Sequence, residues 1–220
     1  MTMIKRILII YLAIAACLMT ASCTVVRIDA EEESGRGNVI SAGERAVDAD
    51  EYLAQHLESD FLPEINEHKV DLATLLEATQ NGWESAGETY GVKKGDIGAK
   101  YNFIVHDTAV VKEINTESRN GFMIVEPVGV QTGYTVKISI GPVLRGTAIR
   151  DSLRFVDFNH FVNQMDFAEL ANVFNRFGNE NVTQSVDVMS LEGKAIEFTG
   201  SFTEPDGDEI SIMPIFMEVK

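Results

Sequence analysis

The hydrophobic period of this chain changes at Lys100, and that change sets the fold class. Upstream, apolar residues recur at helical spacing; downstream they alternate. "YTVKISI" (134–140) places Tyr134, Val136, Ile138 and Ile140 on one side and Thr135, Lys137 and Ser139 on the other, the two-residue period of a half-buried strand. Tyr101, Phe103 and Val105 alternate in the same way with Asn102 and His106, and "FMIVEPV" lies between these two stretches. Asn120-Gly121 within "SRNG" is a strong hairpin signal. Together they predict a three-stranded meander.

The arginine-containing segment "GPVLRGTAIRDSLRF" (141–155) comes next, followed by an amphipathic helix expected from about Asn159 to Phe177. Phe161, Val162, Met165, Ala168, Leu170, Val173, Phe174 and Phe177 form its apolar stripe, with Gly178 as the stop. "KAIEFTGSF" (194–202) and "EISIMPIFMEV" (209–219) read as two closing strands, and Pro214 requires a bulge or an edge position. Strand, strand, strand, helix, strand, strand is the order of an OB-like five-stranded barrel with a helix between strands 3 and 4.

Ahead of it, two helices are expected. One covers 44–60, with Val47, Ala54, Leu57 and Phe61 in register and Pro63 marking its end. The other runs from Asp71, as N-cap, to about Tyr90. "GVKKGDIG" (91–98) reads as a loop and boundary. The fold class is therefore α+β, a helical segment (42–98) followed by a barrel domain (99–220).

The first 23 residues have another purpose. Lys5 and Arg6 precede an apolar run of 13 residues, Ile7–Met19. A bilayer span needs about 20 residues, so the run suits the core of a signal peptide. Thr20, Ala21 and Ser22 then lead to Cys23, in the pattern of a bacterial lipoprotein signal (1–22) with a lipidated cysteine. Ile14-Ala15-Ala16-Cys17 matches such a pattern better at its first position, but polar sequence begins just after Cys23. With Cys23 as anchor, the mature chain has no cysteine left for a disulfide, a nucleophile or a thiolate metal site. Residues 23–41, with Glu31, Glu32 and Glu33 beside Ser34, Gly35 and Gly37, have the composition of a flexible tether. Thr24 is not the aspartate that retains such proteins at the inner membrane, so the expected location is the periplasmic face of the outer membrane.

The net charge is −16 and becomes −18 once Lys5 and Arg6 are removed. Such a charge repels phosphate backbones and argues against nucleic-acid binding. The four histidines, His56, His68, His106 and His160, have no metal-ligand spacing. "DGDE" (206–209) lacks the spaced oxygens of a calcium loop and reads as a hairpin turn. No nucleophile elbow or phosphate-binding glycine loop is present, so the reading is of a non-catalytic protein without metal or cofactor.

Against this acidic background, Arg145, Arg150 and Arg154 fall within ten positions. Two readings stand. In the structural one, Arg145 or Arg150 pairs with Asp151 and ties the third strand to the helix, leaving at most one guanidinium over. In the functional one, these arginines form a small basic pocket, completed by Arg119 or by Asn163 and Gln164 at the helix start. Such a pocket would hold a carboxylate, a phosphate or a sugar's hydroxyls.

"GPVLRGTAIRDSLRFVDF", "FVNQMDF", "ESRNG" and "CTVVRID" resemble the predicted periplasmic lipoproteins grouped as domain of unknown function 2291. The resemblance covers nearly the whole mature chain. It implies an N-terminal lipid anchor, at Cys23 here, a helical segment and an OB-like barrel. It also implies an association with sugar uptake transporters of the ATP-binding-cassette type, beside which members are often encoded. No activity comes with it. The runner-up reading is a structural or assembly lipoprotein acting through contacts with another envelope protein.

Overall fold

The computed structural model describes residues 48–95 and 98–220. The signal (1–22), Cys23, the tether (23–41) and the first positions of the first expected helix lie outside the described residues. The described residues all fall within one compact unit.

Helix α1 (Ala49–His56) starts at Asp48, whose carboxylate accepts the Glu51 N–H at 3.0 Å and so satisfies an orphan donor of the first turn. The helix does not end near Pro63. It passes through a π turn (Leu57–Phe61) into α2 (Leu62–His68). A proline inside a helix lacks one N–H and crowds the carbonyl four residues back. A π turn directly upstream, with the Leu62 N–H bonded to the Leu57 carbonyl, is one way a helix absorbs this. The continuation puts Phe61 and Ile65 in the same core as Tyr52 and Leu53.

The second expected helix is two. α3 (Leu72–Ala78) gives way to a 3₁₀ turn (Thr79–Asn81), and α4 (Trp83–Tyr90) follows. The break is Gly82 at φ +95°, a conformation that residues with a Cβ rarely adopt. Asp71 makes no side-chain cap bond. It still occupies the N-cap position of α3, and it also ends β1 (Val70–Asp71), which pairs in parallel with β3 (Tyr101–Asn115).

β2 (Val92–Lys93) is a second short partner of β3 (Tyr101–Asn115). The meander is present: β3 pairs antiparallel with β4 (Phe122–Pro127), and β4 with β5 (Thr135–Ser139). The closing strands are β6 (Ala195–Thr203) and β7 (Glu209–Val219). β7 pairs antiparallel with β6 and parallel with β5, and β6 pairs with the first half of β3. The pairings therefore run β3–β4–β5–β7–β6 and return to β3. Near Pro214 the register slips: Gly200 faces Pro214 while Thr199 faces Phe216, so Ile215 is the extra residue of the expected bulge.

Successive strand residues point to opposite faces, and two cores result. Phe103, Val111, Met123, Ile138, Phe198, Phe202 and Ile212 share one with Leu72 and Leu75. Ile104, Met213 and Ile215 join the other with Phe61, Ile65, Ile149, Leu153, Leu170 and Phe174. Residues 101–105 of β3 are all buried, because that half of the strand is covered on both faces.

The third-to-fourth-strand connection differs from expectation in two ways. It contains a short helix, α5 (Ala148–Ser152), before the long one. The long helix α6 spans Gln164–Ser185, starting later and ending later than predicted. Gly178 lies inside it. A Cβ there would stand 2.2 Å from the Pro214 carbonyl oxygen, so this glycine lets α6 approach β7 and does not stop the helix.

A candidate ligand cavity at the joint between sheet and helix

α5 is held in place by polar groups from four directions. Arg150 is at its centre, its side chain about 10% exposed. Its Nε donates to Asp151 Oδ1 at 2.8 Å and its Nη1 to the Phe167 carbonyl at 2.9 Å. The guanidinium carbon also sits over the Phe167 ring, 3.9 Å from its centroid, within cation–π distance. Lys94 Nζ reaches the carbonyls of Arg150 (3.4 Å) and Val156 (2.5 Å). Buried Glu64 accepts the backbone N–H groups of Arg154 (2.5 Å) and Phe155 (3.3 Å). Ser152 and Ser201 hydroxyls meet at 3.0 Å and fasten α5 to β6, while Asn175 donates to the Gly146 carbonyl and fastens the segment to α6.

The ion pair, Arg150 with Asp151, lies within α5 itself, and it is the Arg150–Phe167 hydrogen bond that ties α5 to α6. The arrangement also leaves room. A cavity of about 610 Å3 is lined by Lys93, Lys94, Arg150, Asp151, Arg154, Asp157, Phe158 and Phe167 among others, within the range of small-molecule sites. Lys93 is bonded to Glu84 at 3.1 Å through both carboxylate oxygens. Arg154 is not similarly engaged: its Nη1 stands 3.8 Å from Glu64, beyond hydrogen-bond reach. Burial pushes the Lys94 ammonium down from its ordinary 10.5 to about 8. Asp151 opposes this shift and Arg150 adds to it. The ammonium remains mostly protonated at neutral pH and acts as a donor to two carbonyls.

The other predicted members are elsewhere. Arg119 is exposed in the β3–β4 turn, where its carbonyl accepts the Val143 N–H at 3.2 Å. Arg145 is exposed and makes no ion pair with a described residue. Asn163 spends its side-chain oxygen capping α6, on the N–H groups of Met165 and Asp166. Gln164, the first residue of that helix, is exposed. None of the four lines the cavity. Proximity in sequence misled here because α5 turns the chain between Arg145 and Arg150. Of the three arginines, Arg150 pairs with Asp151 and Arg154 with Glu64 at 3.8 Å, which leaves Arg145 as the one guanidinium without a carboxylate partner among the described residues.

Sequence reasoning missed Lys93, Lys94, Phe158 and Phe167. The one signal available was Lys93-Lys94 set between glycines in an acidic chain, which reads equally as a loop. The histidines do not assemble a nucleophile–base pair. His56 Nδ1 lies 2.8 Å from Asp60 Oδ2, but the Ser59 hydroxyl bonds that same carboxylate oxygen and not the imidazole. His106 faces Asp71 at 3.3 Å.

The architecture is similar to that of a crystallised OB-fold protein from Thermotoga maritima. The TM-score is 0.62 at 17% identity, covering 80% of this chain and all of that one, a likeness of fold alone. No functionally curated protein matches the chain. The family model described as "Predicted periplasmic lipoprotein (DUF2291)" matches residues 13–218. With nearly its whole length covered, the chain belongs to this family of predicted periplasmic lipoproteins.

Proposed function

We propose that this protein is a non-catalytic, lipid-anchored binding component of the periplasm. In this reading, five of its strands form an OB-like barrel, and the cavity beside α5 presents a sugar site to an ATP-binding-cassette carbohydrate uptake system. Anchorage is through Cys23, to the outer membrane. The observation that carries the reading is the cavity itself, where Arg150 is held by Asp151 and Lys94 by two backbone carbonyls, beside an exposed phenylalanine, Phe158 (43% exposed). Sugars are recognised by such a combination, since hydroxyls take donors and acceptors while the C–H face of the ring lies on an aromatic side chain. A binding role fits better than catalysis because Lys94, the one lining group shifted towards neutrality, is occupied as a donor to two backbone carbonyls.

Affinity capture from envelope membranes tests this, using the lipidated protein as bait together with a calorimetric sugar panel. Co-recovery of transporter subunits and binding of a sugar are expected. Recovery of no transporter component, with no binding across the panel, overturns the proposal.

A further inference from the structure

The cavity's hydrogen-bonding inventory narrows the ligand class, on the assumption that the cavity is a sugar site. Arginine carries five N–H donors. In Arg150 two of them have partners, Asp151 Oδ1 and the Phe167 carbonyl. The remaining three have none among the described residues, on a side chain nine-tenths buried. The unpartnered Nη2 is not among the fully buried polar atoms, and Arg150 lines the cavity, so these donors are open to a ligand there. Arg154, with a side chain 41% exposed, lines the same cavity, and its one nearby carboxylate is too far to accept from it. That carboxylate, Glu64, already accepts two backbone N–H groups.

Acceptors in the cavity are fewer. Asp151 Oδ1 is taken by Arg150 and Asp157 Oδ1 by the Asn159 N–H, leaving one oxygen on each. The lining groups comprise four cations, Lys93, Lys94, Arg150 and Arg154, against two carboxylates. Counting Glu84 behind Lys93 and Glu64 behind Arg154, the neighbourhood is neutral, in a chain whose net charge is −16. A neutral sugar brings donors as well as acceptors, so it cannot use this surplus fully. A carboxylate or phosphate brings acceptors only, and its paired oxygens match the guanidinium fork.

We propose that the cavity takes an acidic monosaccharide, with the anionic group on the Arg150–Arg154 side and the C–H face of the ring against Phe158. Calorimetry on the full-length protein in detergent tests this with glucose, galactose and mannose, their uronic acids and their 6-phosphates, and acetate and inorganic phosphate as bare anions. At least one acidic sugar should bind ten-fold or more tighter than its neutral parent and than the bare anion. The uronate and phosphate arms identify which anion is read. Arg154→Gln keeps the backbone N–H that Glu64 accepts, and should weaken the acidic sugar about ten-fold with no loss of folding. Phe158→Ala should weaken the acidic sugar and leave any binding of the bare anions unchanged. Equal binding of neutral and acidic sugars overturns the acidic assignment but keeps the sugar site. Binding of bare anions alone, or of nothing in the panel, overturns both.

Discussion

Arg150 and Lys94 show how one short helix can serve as both joint and wall. Arg150 gives one donor to Asp151 within α5 and one to the Phe167 carbonyl of α6, so its charge is partly used by the fold. Lys94 closes the other side from a loop 56 residues upstream. Because burial holds its folded-state pKa below the unfolded value, the unfolded chain binds more protons between pH 8 and 10.5. Stability attributable to Lys94 therefore rises with pH through that window. Lysine Cε and Hε shifts should place its titration midpoint at about 8; a midpoint near 10.5 would show the ammonium to be solvated. In urea unfolding, the wild type should gain on Lys94→Gln as the pH is raised from about 8 towards 10.5.

At the scale of elements, α6 and β7 approach each other closely at Gly178. Gly178 is in a helix interior, where it costs roughly 1 kcal/mol relative to alanine. It is nonetheless required, because a Cβ there would collide with the Pro214 carbonyl at 2.2 Å and approach the Ile215 backbone at 3.3 Å. Gly178→Ala should therefore destabilise the protein by about 1–3 kcal/mol or more in chemical denaturation. Gly207→Ala, where a Cβ meets nothing within 4 Å, should be close to neutral. A neutral Gly178→Ala would mean that α6 does not sit on the β7 bulge as described. Gly178 also shows where sequence pattern was ambiguous: a glycine after an apolar stripe reads as a helix stop, and only the facing strand reveals a close approach. Pro63 was misleading in the same sense, since a proline reads as a terminator until a π turn accommodates it. The strands were more legible. β4 to β7 lie within a residue or two of where alternation put them, because period two with one covered face leaves little freedom of register.

For the whole molecule, the organisation around two cores explains why the helical segment is not an appendage. α3 and α4 close over the core enclosed by the strand pairings, and α1 and α2 build the second core with α5 and α6. Attachment to the membrane depends on residues ahead of this unit. Cys23→Ser should abolish acylation, read by incorporation of labelled palmitate, and release the protein from the membrane fraction, whereas Cys17→Ser should leave both unchanged. The reverse pattern would make Cys17 the anchor.

The amino-acid sequence by itself determined the main periodic elements, the succession of the five long strands, the acidic character, and the signal pattern that agrees with a family of predicted periplasmic lipoproteins. These depend on local spacing and composition, which act without reference to distant residues. The tertiary structure alone decided which charged groups meet. Glu64 and Arg154 are 90 residues apart, and Lys94 and Val156 are 62 apart. Their positions follow from two cores packing on opposite faces of one sheet. The same packing separates Arg145 from Arg150, only five positions away, and leaves between the helices and the sheet a donor-rich cavity that no run of residues announces.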